Sequence, residues 1–282
     1  VTEPLRTPEG YTFLNLGCGS VYFPEWNNSD LLPGRNVYAH DLSNPLPWPE
    51  DTFDAVYSSH ILEHLTPEAG QNLIAEKYRV LKPGGTCRVV VPDLEGICRQ
   101  YLSKLELVVK NQNQINTRQY RFSVIELLDQ MVRDSTGGQL AKALKTGDLD
   151  KDQAEGRFGD SYRNLEGRPV TLNNSRSDAQ SGKTSNSNEG WETSFKRRIA
   201  KWKLKFVSGG GKDPRKSGEV HRWMYDRVSL VQLLELVGFS RCVVMTFDQS
   251  SIPNWDKYNL DVSRHGPFPR KPDSLFVEAI KP

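Results

Sequence analysis

Three breaks in the first fifty residues bring together residue types that can hold a polar ligand. The apolar run Tyr11-Thr-Phe-Leu-Asn-Leu16 stops at Gly17-Cys18-Gly19-Ser20, a second short run ends at Asp30, and a third ends at Asp41. Glycines at such a break let backbone approach a ligand that a side chain would hold away. A carboxylate at a strand end can accept charge-assisted hydrogen bonds from two neighbouring hydroxyls, as a ribose clamp does. The dinucleotide fingerprint needs a third glycine where this chain has Tyr22, and no Walker lysine follows, so a nicotinamide, flavin or P-loop reading is not expected.

A second group is His60-Ile-Leu-Glu-His64, which spells His-x-x-Glu-His, the inverted zinc-peptidase pattern. That chemistry needs the pattern inside a helix and a third ligand from elsewhere. Here it straddles the end of an apparent strand. No metal is therefore expected, and Glu63 and His64 are expected to be structural. The four cysteines, Cys18, Cys87, Cys98 and Cys242, include no Cys-x-x-Cys pair, which argues for reduced thiols rather than a metal or redox site.

The elements that must position these groups alternate in type. Strands are expected at Tyr11 to Leu16, Glu25 to Ser29, Asn36 to His40, Phe53 to Ser58 and Thr86 to Val91. A helix should begin at Thr66-Pro67, a capping residue before a proline, and run to Leu81, where Lys82-Pro-Gly-Gly85 stops it. Such alternation predicts an α/β fold with a Rossmann-like, doubly wound, mostly parallel sheet. Ligands of these sheets bind beyond the carboxyl ends of the strands, so the glycine turn, Asp30 and Asp41 should meet at one crevice.

After Cys98 the pattern changes. Residues 100 to 145 read as helical, with Val124, Ile125, Leu127, Leu128 and Met131 on one broad face. Residues 171–190 are almost wholly polar and read as a loop. Residues 194–206 place Phe195, Ile199, Trp202 and Phe206 on one stripe of a helix whose other faces hold six basic residues. Regular structure should resume at Glu219, with a helix from Val228 to Val237 capped by Gly238. Arg241 to Phe247 and Asp273 to Ile280 are then expected as an antiparallel pair at the sheet edge. The expected organisation is a core of residues 1–98 and 219–282 with a large helical and irregular insertion at 99–218.

Composition bounds the partners. Lys plus Arg number 37 against 35 Asp plus Glu in 282 residues, a net charge of +2, which excludes a uniformly basic nucleic-acid coat. The balance hides the basic stretch at 194–206, which reads first as an amphipathic helix docked on its own domain with a solvated basic face, and otherwise as the place where a membrane surface or an anionic partner would meet the chain. No apolar run reaches membrane-spanning length. The first ten residues lack the apolar centre of a secretory leader, and a cytoplasmic location is expected, with peripheral membrane contact through 194–206 as the alternative.

The ordered set Leu14-Asn-Leu-Gly-Cys-Gly19, Asp30, Asp41-Leu42, Leu46-Pro-Trp48, Phe53-Asp-Ala-Val-Tyr-Ser-Ser-His-Ile-Leu-Glu-His-Leu65 and Leu81-Lys-Pro-Gly-Gly85 resembles the class I S-adenosylmethionine-dependent methyltransferases, in particular the small-molecule branch called type 11. The resemblance covers residues 11 to 97 and 219 to 282. It implies S-adenosylmethionine as cofactor. Asn15, Gly17, Cys18 and Gly19 would surround its methionine part, Asp30 its ribose, and Asp41 with Leu42 its adenine. Ser59 and His60 would border the methyl-transfer site. The resemblance also makes His221 the first candidate for a general base, because the acceptor wall often precedes the last large helix; His60 is second and Asp93 third. The implied reaction is methyl transfer to a small molecule, first of all an oxygen of a free or lipid-linked saccharide or related metabolite. Nucleic acid is not an expected partner. The other functional class is a noncatalytic binding module that docks on a membrane or anionic partner through 194–206.

Overall fold

The computed structural model describes residues 3–146, 151–165, 214 and 218–282. The expected loop at 171–190 and basic helix at 194–206 lie outside the described residues.

Five strands run parallel: β1 (Phe13–Leu16), β2 (Asn27–Asp30), β3 (Val37–Ala39), β4 (Phe53–Ser59) and β5 (Leu81–Pro92). Two more, β6 (Ser240–Met245) and β7 (Ser274–Ile280), complete the order β3-β2-β1-β4-β5-β7-β6. β7 runs antiparallel to both of its neighbours, so the two closing strands form the expected antiparallel pair at that edge. β5 begins earlier than expected. Lys82-Pro-Gly-Gly85 bulges within it, where the register against β4 jumps between Phe53 and Ala55.

One face of the sheet is covered by α1 (Pro67–Val80) and α7 (Arg227–Val237). Alternate strand residues such as Leu14, Val56, Val89 and Val277 point into that core. Thr66 caps α1 by accepting the Ala69 N–H. Asp226 caps α7, accepting from Val228 and Ser229 while Ser229 reciprocates. Gly238 ends α7 at φ +113°, the left-handed region glycine adopts freely.

The other face is covered differently. Phe13, Ala55, Tyr57, Val90 and Phe276 pack against Ile252, Trp255, Tyr258 and Leu260, all from the segment joining β6 to β7, which contains the single-turn α8 (Trp255–Tyr258). No helix joins β1 to β2. Instead, buried asparagines hold that connection: Asn15 donates to the Val21 carbonyl at 3.0 Å, and Asn28 donates to the Phe23 and Trp26 carbonyls, both at 2.8 Å. Thus the polar residues Asn27 and Asn28 of β2 can be buried because their amides donate to backbone carbonyls.

Between β5 and α7 lie α2 (Leu94–Lys110), α3 (Gln114–Val132), α4 (Gly138–Thr146), α5 (Lys151–Phe158) and α6 (Asp160–Leu165). α3 does not bury the apolar face its sequence suggests. Leu128 and Met131 are exposed, whereas Glu126 and Asp129 are buried, because they bind Arg157 and Arg133. Paired charges can sit inside where an unpaired one would be expelled. All four cysteines are free thiols. No helix among the described residues is long and apolar enough to cross a membrane.

Candidate active site

The sheet order reverses at β1, whose neighbours are β2 on one side and β4 on the other. A crevice forms beyond the carboxyl ends of strands at such a switch point. Here it is a cavity of about 570 Å³, and Gly17, Asp30, Asp41 and Leu42 line it, as their positions at strand ends require.

Each of these residues is prepared locally. Gly17 has φ +63°, and a β-carbon there would collide with the side chain of Ile61. Gly19, at φ +53°, donates its N–H to Asp30 Oδ2 at 2.8 Å and so aims that carboxylate. Asp41 Oδ1 accepts from the N–H and hydroxyl of Ser43, which hold its pKa below the usual carboxylate value. The Gly17→Ala variant should lose about 2 kcal/mol of stability through left-handed strain and displacement of Ile61. It should also bind the cofactor more than tenfold more weakly; thermal denaturation and titration calorimetry check the two effects separately.

Other expected cofactor residues sit outside the cavity lining. Asn15 is buried and engaged with the loop. Cys18 is buried, with its N–H donating to the Ser29 carbonyl at 3.1 Å. Ser59 Oγ accepts from Arg270 Nη2 at 3.3 Å. Asp93 is also away from the cavity, at the N-cap position of α2, where its N–H donates to the Asp273 carbonyl.

A polar wall faces the glycine turn. β4 ends at Ser59, and His60 turns the chain with φ +55°, an uncommon conformation for a residue with a side chain. Its N–H still bonds the Val90 carbonyl, and its ring meets Ser274 Oγ at 2.8 Å and Glu63 Oε1 at 3.2 Å. A single 3-10 turn, Leu62–His64, then carries Glu63 into the interior. Residues 220 to 223 dock back on this turn. Arg222 and Trp223 donate N–H groups to the Glu63 carbonyl, His221 donates its N–H to the Gln130 carbonyl, and His64 Nδ1 lies 3.3 Å from the Val220 carbonyl. The rings of His64 and His221 therefore meet edge to face with centroids 5.0 Å apart.

Burial governs the charge state of the wall. It lowers the pKa of His60 and His64, and brings His221 down to about 3, so all three imidazoles are neutral at neutral pH. It raises Glu63 to about 8 and lowers Lys271 to about 8. His60 and His221 thus line the cavity as the sequence leads one to expect. Glu63, expected to be structural, lines it too, and neither of its carboxylate oxygens accepts a well-formed hydrogen bond. Lys271 and Asp273 also line it. Their sequence, Arg270-Lys271-Pro-Asp273, reads only as a polar approach to the last strand. Leu140, Leu144, Phe158 and Tyr162 from α4, α5 and α6 close the remaining side.

Residues 34–89 match the family described as "Methyltransferase domain", type 11. An uncharacterized methyltransferase of Synechocystis is 42% identical over 106 residues, 31% of this chain. The match spans about half the length, 50%, of that relative. Among solved structures, a possible histamine N-methyltransferase from Thermotoga maritima is similar over 96% of this chain and 83% of its own, with 11% identity and a TM-score of 0.40. A methyltransferase from Archaeoglobus fulgidus is similar over 99% and 87%, with 14% identity and a TM-score of 0.39. The cofactor implied by the family is S-adenosylmethionine. The residues present fit it: a glycine turn with no room for a β-carbon, a carboxylate aimed by a backbone N–H, and a second carboxylate at the next strand end.

Proposed function

We propose that this chain is a class I S-adenosylmethionine-dependent methyltransferase that transfers a methyl group to an oxygen of a small hydroxylated acceptor, with a saccharide or related metabolite as the first candidate; the match of residues 34–89 to a methyltransferase domain supports the reaction class. The observation that carries this reading is the continuity of the cavity, which runs from Gly17, Asp30 and Asp41 to His60 and His221.

When bound, S-adenosylmethionine supplies a methyl group on a positively charged sulfur. The chain's task is then to align and to exclude water, since holding reactants at near-attack distance removes much of the barrier in such displacements. Asp30 holds the ribose hydroxyls, Asp41 and Leu42 border the adenine, and the Gly17 backbone lies along the methionine part. Helices α4 to α6, within the inserted residues 99–218, form the acceptor-binding cover, with Leu140, Phe158 and Tyr162 shielding the site. His221, neutral at working pH, accepts a hydrogen bond from the acceptor hydroxyl and orients it, and His60 supports the same wall.

Methyl-labelled S-adenosylmethionine and a panel of hydroxylated acceptors test the reading. Transfer to a saccharide-type oxygen is expected. The His221→Gln variant should turn over roughly 100-fold more slowly, the order that misplacing a reactant costs, with cofactor affinity unchanged. Full turnover with normal acceptor affinity in that variant would remove His221 from the mechanism, and transfer solely to nitrogen acceptors would refute the oxygen assignment.

A further inference from the structure

Glu63, His64 and His221 each present one possible ligand atom, and these atoms lie within 4.8 Å of one another. Glu63 and His64 come from the single turn after β4, and His221 reaches them from beyond the insertion. The set differs from the His-x-x-Glu-His zinc pattern, whose ligands are its two histidines: here Glu63 stands in place of His60, and His221 is the third. All three residues face the cavity.

We propose that Glu63, His64 and His221 bind a divalent first-row transition metal, with an open coordination position facing the cavity.

Four features converge on this. Two imidazoles and one carboxylate are a donor set for zinc, manganese, cobalt or iron rather than for magnesium or calcium, which prefer all-oxygen sites. Buried Glu63 has two carboxylate oxygens without hydrogen bonds, an arrangement costly to leave uncompensated. His64 Nδ1 lies 3.3 Å from the Val220 carbonyl, which fixes the ring and leaves Nε2, 3.9 Å from Glu63 Oε1, with its lone pair toward the cluster. Metal-bound histidines are usually oriented by such a second hydrogen bond. His60 Nδ1, at 3.2 Å from Glu63 Oε1, steadies the carboxylate from behind.

The charges nearby permit a cation. Arg133 is occupied by Asp129 at 2.7 Å and Glu219 at 2.8 Å. Lys271, the other cation lining this end, faces Glu63 and Asp273, two acidic groups. Metal bonds of about 2 Å require the three donors to draw closer by roughly an ångström, within reach of small side-chain rotations. Three protein ligands leave one position for water or substrate. An acceptor oxygen would occupy it, held by the metal in place of the direct hydrogen bond to His221, whose ring lone pair the metal takes; this last point alone rests on the methyl-transfer reading.

The test is a cobalt titration of the full chain without S-adenosylmethionine, read by visible absorption and by calorimetry. Binding of one equivalent is expected, weakened at least tenfold by Glu63→Gln and by His64→Asn but unchanged by His265→Ala, a substitution at an exposed histidine elsewhere. Absence of binding, or binding equally strong in the folded Glu63 and His64 variants, overturns the proposal. If either variant fails to fold, a zinc titration of the wild-type chain followed by imidazole NMR decides: the signals of His64 and His221 should move, and no movement overturns the site. Cofactor binding is measured separately, so a chain that binds S-adenosylmethionine but takes up no cobalt refutes the metal site and leaves the methyl-transfer reading standing.

Discussion

Replacing Asp30 by alanine should weaken S-adenosylmethionine binding roughly 100-fold or more while leaving the fold in place. Each hydrogen bond to a carboxylate contributes about 1.5 to 3 kcal/mol, and 1.4 kcal/mol is tenfold in affinity. The carboxylate is already aimed by Gly19 N–H, so little ordering is needed when a ribose arrives. The fold should tolerate the change because β2 is held here by backbone: Asp30 pairs with Ala39, and its carbonyl accepts the His40 N–H at 2.8 Å. The melting temperature should therefore move by only a few degrees, which corresponds to about 1 kcal/mol. Asp30→Asn should fall between wild type and alanine. An affinity loss of less than threefold in Asp30→Ala would show that the ribose lies elsewhere.

The largest loss of stability should come from Arg88→Ala, at about 3 to 5 kcal/mol, the usual cost of breaking a buried ion pair from one side. Arg88 lies on β5, fully buried, on the sheet face that carries no long helix. Its guanidinium donates to Asp261 at 2.8 Å, to Glu278 at 2.9 Å and to the carbonyls of Thr246 and Gln249, and it stacks over Trp255 at 4.7 Å. One side chain thus ties the segment between β6 and β7 to the sheet. Truncation strands two carboxylates in the interior, whereas Arg88→Met combined with Asp261→Asn and Glu278→Gln should recover much of the loss by removing the unpaired charges. Urea denaturation measures both. A shift below 1 kcal/mol for Arg88→Ala would mean that Asp261 and Glu278 are satisfied without it.

The meeting of Gly17, Asp30 and Asp41 at one crevice was readable in the sequence because strand ends obey a simple rule. Gly17, Asp30 and Asp41 each follow a short apolar or half-buried run, and a parallel sheet brings such ends to one edge. The acceptor end was less readable. Glu63 and His64 look like part of a recurrent phrase after a strand, and nothing local marks Glu63 as buried without a hydrogen-bond partner. His221 becomes its neighbour only through backbone bonds from Arg222 and Trp223 across a long insertion. Asn15 shows another limit: its place before the glycine turn suggests a ligand contact, and the sequence does not show that its amide also donates to the Val21 carbonyl, where a loop follows β1. At α3 periodicity points to the wrong face for a related reason: Glu126 and Asp129 are polar by type but buried by pairing with Arg157, 31 residues on, and with Arg133, one turn on.

We place the S-adenosylmethionine site in the crevice beyond β1, β2 and β3. Titration calorimetry of the folded wild-type chain with S-adenosylmethionine and with S-adenosylhomocysteine, at two temperatures, tests it most directly. Saturable binding of one equivalent of each, sharply weakened in the Asp30→Ala variant, is the predicted result; folded protein that binds neither compound at either temperature would contradict it.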